Sequence, residues 1–152
     1  MPILFLNEQA LPRFIRRIES LQPDSPRLWG SMTAPQMLAH LRRAFELWLG
    51  DIRVPEQGNF LTRTVLRWIV FHSGLPWPKG KIKAPPVFFP DKIDDFETER
   101  SRTLHIMKRF VDTVKRQPDR IHINPVFGRL PFSYLPRMAG MHTDHHLRQF
   151  GV

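Results

Sequence analysis

The sequence predicts an all-α protein of four or five helices, and three observations carry that prediction. Apolar residues recur at intervals of three and four over long segments, the period of an amphipathic helix. No run alternates convincingly with period two. The 15 prolines and 8 glycines gather at 23–30, 50–58, 74–90 and 125–136, where they separate the helical segments rather than interrupt them. At 152 residues, with no repeat and no linker-like tract, the chain is read as one domain spanning 1–152.

The first helix is expected from about Asn7 to Leu21, with Asn7 as its cap, Pro12 tolerated near its first turn and Phe14, Ile15, Ile18 and Leu21 as its apolar stripe. The second begins at Thr33, where Pro35 and Gln36 complete a capping-box pattern, and ends at Gly50. A third covers about Phe60 to His72 and turns Leu61, Val65, Trp68, Ile69 and Val70 inward. The fourth covers about Ile93 to Lys115 on Phe96, Leu104, Met107, Phe110, Val111 and Val114, with Asp94, Asp95, Glu97 and Glu99 as charge at its start. The last covers about Ser133 to Leu147. Between the third and fourth lies a long Pro- and aromatic-rich connection, Ser73 to Pro90, whose Trp77, Phe88 and Phe89 either lid a pocket or close the apolar end of the helices.

Composition narrows the chemistry. Cysteine is absent, which excludes disulfides, thiolate metal sites, a Cys nucleophile and the usual zinc finger. Neither a Gly-rich phosphate loop nor a nucleophile elbow is present. The start, Met-Pro-Ile-Leu-Phe-Leu-Asn, lacks a basic region and a sustained apolar run, so a cytoplasmic location is expected. Arg63, Arg67 and His72 interrupt the most apolar stretch, and no membrane insertion is expected. The net charge of +9 favours an anionic partner. Its Arg and Lys residues are scattered, which reads as a solvated outer face in preference to a nucleic-acid stripe.

Histidine is the concentrated resource, and H-T-D-H-H occupies 142–146. His142 and His146, four apart, share a helix face and can close on one ion; His142 and His145, three apart, could do the same. Leu135, Met138 and Ala139 favour the 142/146 pair as the inward one. The best third ligand is His40, which Met37, Ala44 and Leu47 place on the apolar face of its helix. Three neutral imidazoles leave a divalent transition metal such as Zn, Ni or Fe its full charge and open positions, which suits catalysis. Gln36 and Gln149 are candidate pocket or ligand-orienting groups, alongside Trp77 and Phe88. His72, His105 and His122 read as surface or second-layer residues.

W-G-S-M-T-A-P-Q-M-L-A-H at 29–40, N-P-V-F-G at 124–128 and H-T-D-H-H-L-R-Q-F-G at 142–151 resemble the DinB/YfiT-like superfamily of metal-binding four-helix bundles, within a bacterial branch known as a domain of unknown function. The resemblance covers nearly the whole chain. It implies up-down-down-up topology and a metal held at positions matching His40, His142 and His146. It also implies thiol-dependent transfer or isomerisation with low-molecular-weight thiols. The expectation is therefore a metal-dependent enzyme of transferase or hydrolase type acting on a small anionic or thiol-bearing substrate. The alternative is a non-catalytic helical module with structural histidines and a basic surface for nucleic acid or an acidic protein. A homodimer sharing the pocket is a third expectation.

Overall fold

The computed structural model describes residues 5–73, 86–90 and 92–152, with the backbone alone for Val87. Among them the chain is mostly helical: α1 (Leu11–Glu19), α2 (Ala34–Leu49), α3 (Arg67–His72), α4 (Phe96–Arg116) and α5 (Leu135–Arg148), with a small hairpin of β1 (Ile121–Asn124) and β2 (Gly128–Pro131). One buried apolar cluster runs from Leu6 to Phe150 and draws on all five helices. No helix among the described residues is long and apolar enough to cross a membrane.

Local chemistry sets the helix ends. The capping box at α2 is present, with Thr33 Oγ1 accepting from the Gln36 amide and Gln36 Oε1 accepting from the Thr33 amide. At α4 the cap is Asp95, whose carboxylate accepts from the Thr98 amide and hydroxyl, so the helix starts three residues later than Ile93. At α1, Asn7 Oδ1 accepts from the Ala10 amide and organises the turn leading in rather than the helix itself. The α-helix then begins at Leu11, with Phe14, Ile18 and Leu21 buried as expected.

The third segment departs from expectation in the face it buries. Leu61, Val65 and Trp68 are exposed at 61, 51 and 61%, while Phe71 is buried. Residues 60–72 are helical, but Thr62–Leu66 forms a π-turn, whose wider spiral shifts the phase of everything after it. Phe71 thereby reaches Phe127 and Tyr134, at ring distances of 5.6 and 5.4 Å.

The hairpin is a small two-stranded addition to a chain that is otherwise mostly helical. Ile121 and Ile123 face out while His122 and Asn124 are buried, a period-two pattern too short to stand out in the sequence. Asn124 Oδ1 accepts from the amides of Val126 and Phe127, so the N-P-V-F-G motif is the hairpin turn. His122 is therefore a buried strand residue and not a surface one.

Packing then places α2. It lies against α4, where Phe45, Trp48 and Phe110 form a ring cluster with centroids 5.2–5.9 Å apart. Glu99, read from the sequence as charge at the helix start, is fully buried and paired with Arg42. α5 is approached so closely at Gly140 that a Cβ there would stand 2.7–2.8 Å from the backbone of Phe5 and Leu6. Leu6 donates its amide to the Pro136 carbonyl, which holds this segment along α5.

Candidate metal centre

His40 sits in the middle of α2 because the helix buries nearly every residue between Met37 and Leu41, and its ring is enclosed with them. His142 and His146 stand one turn apart on α5, on the side that Met138 and Ala139 bury. The two helices bring three Nε2 atoms into a triangle. His40 lies 3.1 Å from His142 and 3.1 Å from His146, and the last two are 3.2 Å apart. Among the described residues this is the one group of three or more His, Cys, Asp or Glu whose ligand atoms converge closely enough to hold a metal ion.

The outer nitrogens decide what the inner ones carry. The Phe88 carbonyl can only accept, so His40 Nδ1 donates to it at 3.2 Å. Gln149 Oε1 likewise accepts from His146 Nδ1 at 2.7 Å. A neutral imidazole has one N–H, so both Nε2 atoms point lone pairs into the triangle. An Nε2–H tautomer of His142 would satisfy one edge; a cation satisfies all three. Nitrogens bound to one tetrahedral zinc at about 2.0–2.1 Å stand roughly 3.3 Å apart, close to the spacing here, and the residues fit such an ion.

Burial keeps the rings neutral. It lowers His40 to about 4, against the opposing pull of the Phe88 carbonyl. It lowers His146 to about 3, with His40 adding to the effect. His142 is pushed well below the usual imidazole range, again by burial first and its two neighbours second. Near neutral pH all three are neutral free bases, as metal ligation would require. Aromatic rings pack on them: Phe89 stacks on His40 at 5.2 Å, and Trp48 meets His142 edge-on at 5.6 Å.

His145 stays outside the triangle, edge-on to Trp29 at 6.2 Å and to His146 at 5.1 Å. Of the candidate pocket residues, Phe88 reaches the site through its carbonyl and, at 6.0 Å, its ring. Gln149 reaches it through Oε1. Gln36 has its amide oxygen engaged in the α2 cap, and Trp77 falls outside the described residues. His72 and His105 are exposed. Sequence reasoning missed Trp48, although it lies about two turns beyond His40 on α2, whereas Phe89 was among the aromatics expected to lid a pocket or close the apolar end of the helices. A backbone carbonyl such as that of Phe88 leaves no residue-type signal. No protein-family profile, curated protein or solved structure matches the chain.

Proposed function

We propose that the chain is a metal-dependent enzyme of thiol-dependent transferase or hydrolase type, with His40, His142 and His146 as the ligands. The observation that carries this reading is the triangle of three inward Nε2 atoms, two of which have their protons held on the opposite nitrogen. We further propose that α1, α2, α4 and α5 form a DinB-like four-helix bundle of up-down-down-up topology. The packing of α2 on α4 and of α5 on α1, α2 and α4 supports it.

A divalent ion such as Zn, Ni or Fe, when bound to three neutral imidazoles, supplies Lewis acidity with coordination positions left for a substrate thiolate, carboxylate or water. The chain's own residues do the rest. The Phe88 carbonyl and Gln149 accept from the outer nitrogens of His40 and His146, and Phe89 and Trp48 pack on the rings. Because cysteine is absent, any thiol arrives with the substrate. The net charge of +9 favours an anionic one.

Elemental analysis of untagged protein tests the reading. About one equivalent of metal in the wild type, lost in the His142→Ala/His146→Ala double variant, supports it and justifies a thiol-substrate screen. No metal in either protein, even after addition of Zn or Ni, overturns it.

A second reading, a binding module for an anionic partner, is favoured by an open groove of about 650 Å³ between α1 and α5 lined by Arg13 and Arg16 together with Arg17 and Arg148, which share Asp144 as their ion-pair partner. Steeply salt-dependent DNA binding, reduced by Arg13→Ala and Arg16→Ala, supports that alternative.

A further inference from the structure

Gln149 is gripped from two sides. Its Oε1 is 2.7 Å from His146 Nδ1, and its backbone carbonyl accepts from the Leu28 amide at 2.6 Å. The side chain is buried against Gly30, where a Cβ would stand 2.7 Å from Gln149 Nε2. Gly30 has φ +85°, a conformation that L side chains rarely adopt, so the chain there both turns and leaves room. Residues 28–30 are thus the wall that fixes where the Gln149 amide lies.

From this geometry we infer that Gln149 is a positioning residue that holds His146 as the Nδ1–H tautomer, with Gly30 as the space that permits it. An amide oxygen only accepts, so the single proton of neutral His146 must sit on Nδ1. The Nε2 lone pair then faces His40 and His142. Without that acceptor the proton is free to move to Nε2 and occupy the place an ion would take. Partners of this kind commonly change metal affinity by 10–100-fold when removed.

The inference rests on the metal-centre reading, and the experiment separates the two. Co(II) affinity, measured by chelator competition and ligand-field absorption, is compared in the full wild-type chain and in Gln149→Leu, Gln149→Glu, Gly30→Ala and Gly30→Ala/Gln149→Leu. We expect about 10–100-fold weaker binding and shifted absorption bands in Gln149→Leu. Gln149→Glu, which keeps the acceptor, binds at least as tightly as the wild type. Gly30→Ala weakens binding, and the double variant is no weaker than Gln149→Leu, because both changes act through one contact. Failure of the wild type to bind Co(II) overturns the metal-centre reading. Wild-type binding with Gln149→Leu within twofold of it overturns the positioning role alone. Should Gln149→Leu fail to fold, nitrogen-15 imidazole NMR of the metal-free wild type decides: His146 protonated on Nδ1 supports the role, and on Nε2 overturns it.

Discussion

The Arg42 guanidinium donates from Nε to Oε2 of Glu99 at 2.8 Å and from Nη2 to Oε1 at 3.3 Å, joining α2 to α4 through a carboxylate with no solvent exposure. Arg42 also reaches Glu46, and Glu99 takes the Asp94 amide, so both charges are well supplied with partners. Removing one partner of such a pair leaves the other charge uncompensated in the interior, at a cost of about 3–5 kcal/mol. Arg42→Met, which leaves the fully buried Glu99 carboxylate without its cation, is therefore expected to lower unfolding free energy by about that amount, whereas Glu99→Leu leaves Arg42 its pair with Glu46 and costs less. Arg42→Met/Glu99→Leu should recover most of it, as measured by urea denaturation.

Single substitutions His40→Ala, His142→Ala and His146→Ala should each lower metal content well below one equivalent while leaving the far-UV circular dichroism of the helices in place. His145→Ala should retain metal, because its ring packs on Trp29 outside the triangle. Full occupancy in all three of the first set would refute the ligand assignment.

Removal of metal should lower the thermal midpoint. A ligand present at a hundred times its Kd stabilises the folded state by about 2.7 kcal/mol. Differential scanning calorimetry with and without a chelator measures the shift, and the His142→Ala/His146→Ala variant should show none.

His122 gives the metal-free chain a pH dependence of its own. Burial lowers its pKa from 6.5 to about 4, with Arg120 contributing, and its Nε2 has no hydrogen-bond partner among the described residues. The unfolded chain therefore binds more protons between those values, and stability falls as the pH drops from about 6.5 towards 4. His122→Leu should lessen that slope, the rest of which His40, His142 and His146 carry in the metal-free chain, compared by urea midpoints at pH 7 and 4.5 in the presence of chelator. An unchanged slope would count against the buried neutral imidazole.

Gly140 offers a test in which two effects have opposite signs. Within an exposed helix Gly→Ala stabilises by about 0.5–1 kcal/mol. Here the new methyl would meet the backbone of Phe5 and Leu6 at 2.7–2.8 Å, and neither can yield as a flexible side chain would. Overpacking of this kind costs about 1–3 kcal/mol, so Gly140→Ala should destabilise. Amide exchange at Leu6, whose N–H is bonded to the Pro136 carbonyl, should speed up.

What the sequence disclosed followed from how local each determinant was. Thr33 and Gln36 specify their cap within four residues, and His40 reveals its inward face through Met37, Ala44 and Leu47, so the start of α2 and the orientation of its ligand were legible. His146 was separable from His145 only through the apolar neighbours of α5. The β1–β2 hairpin was hidden because Ile121 and Ile123 alternate with a His and an Asn, residues whose burial depends on the rest of the fold. The phase of residues 60–72 was hidden because a π-turn is set by tertiary fit and not by residue type. Glu99 looked like helix-start charge because its partner, Arg42, lies 57 residues away.

The sequence separation across the histidine triangle bears on the order of assembly. His40 precedes His142 by 102 residues and His146 by 106. A nascent chain that has completed α1 to α4 holds only one of the three donors, and an isolated α5 holds only two on a single turn. Bringing them together closes a loop of about a hundred residues, an entropic cost that rises only logarithmically with length but precedes any reward from the contact. Uptake of an ion would thus be a late event in biogenesis, and an ion once seated would act as a cross-link between two distant stretches of chain, restraining α5 from peeling away from α2.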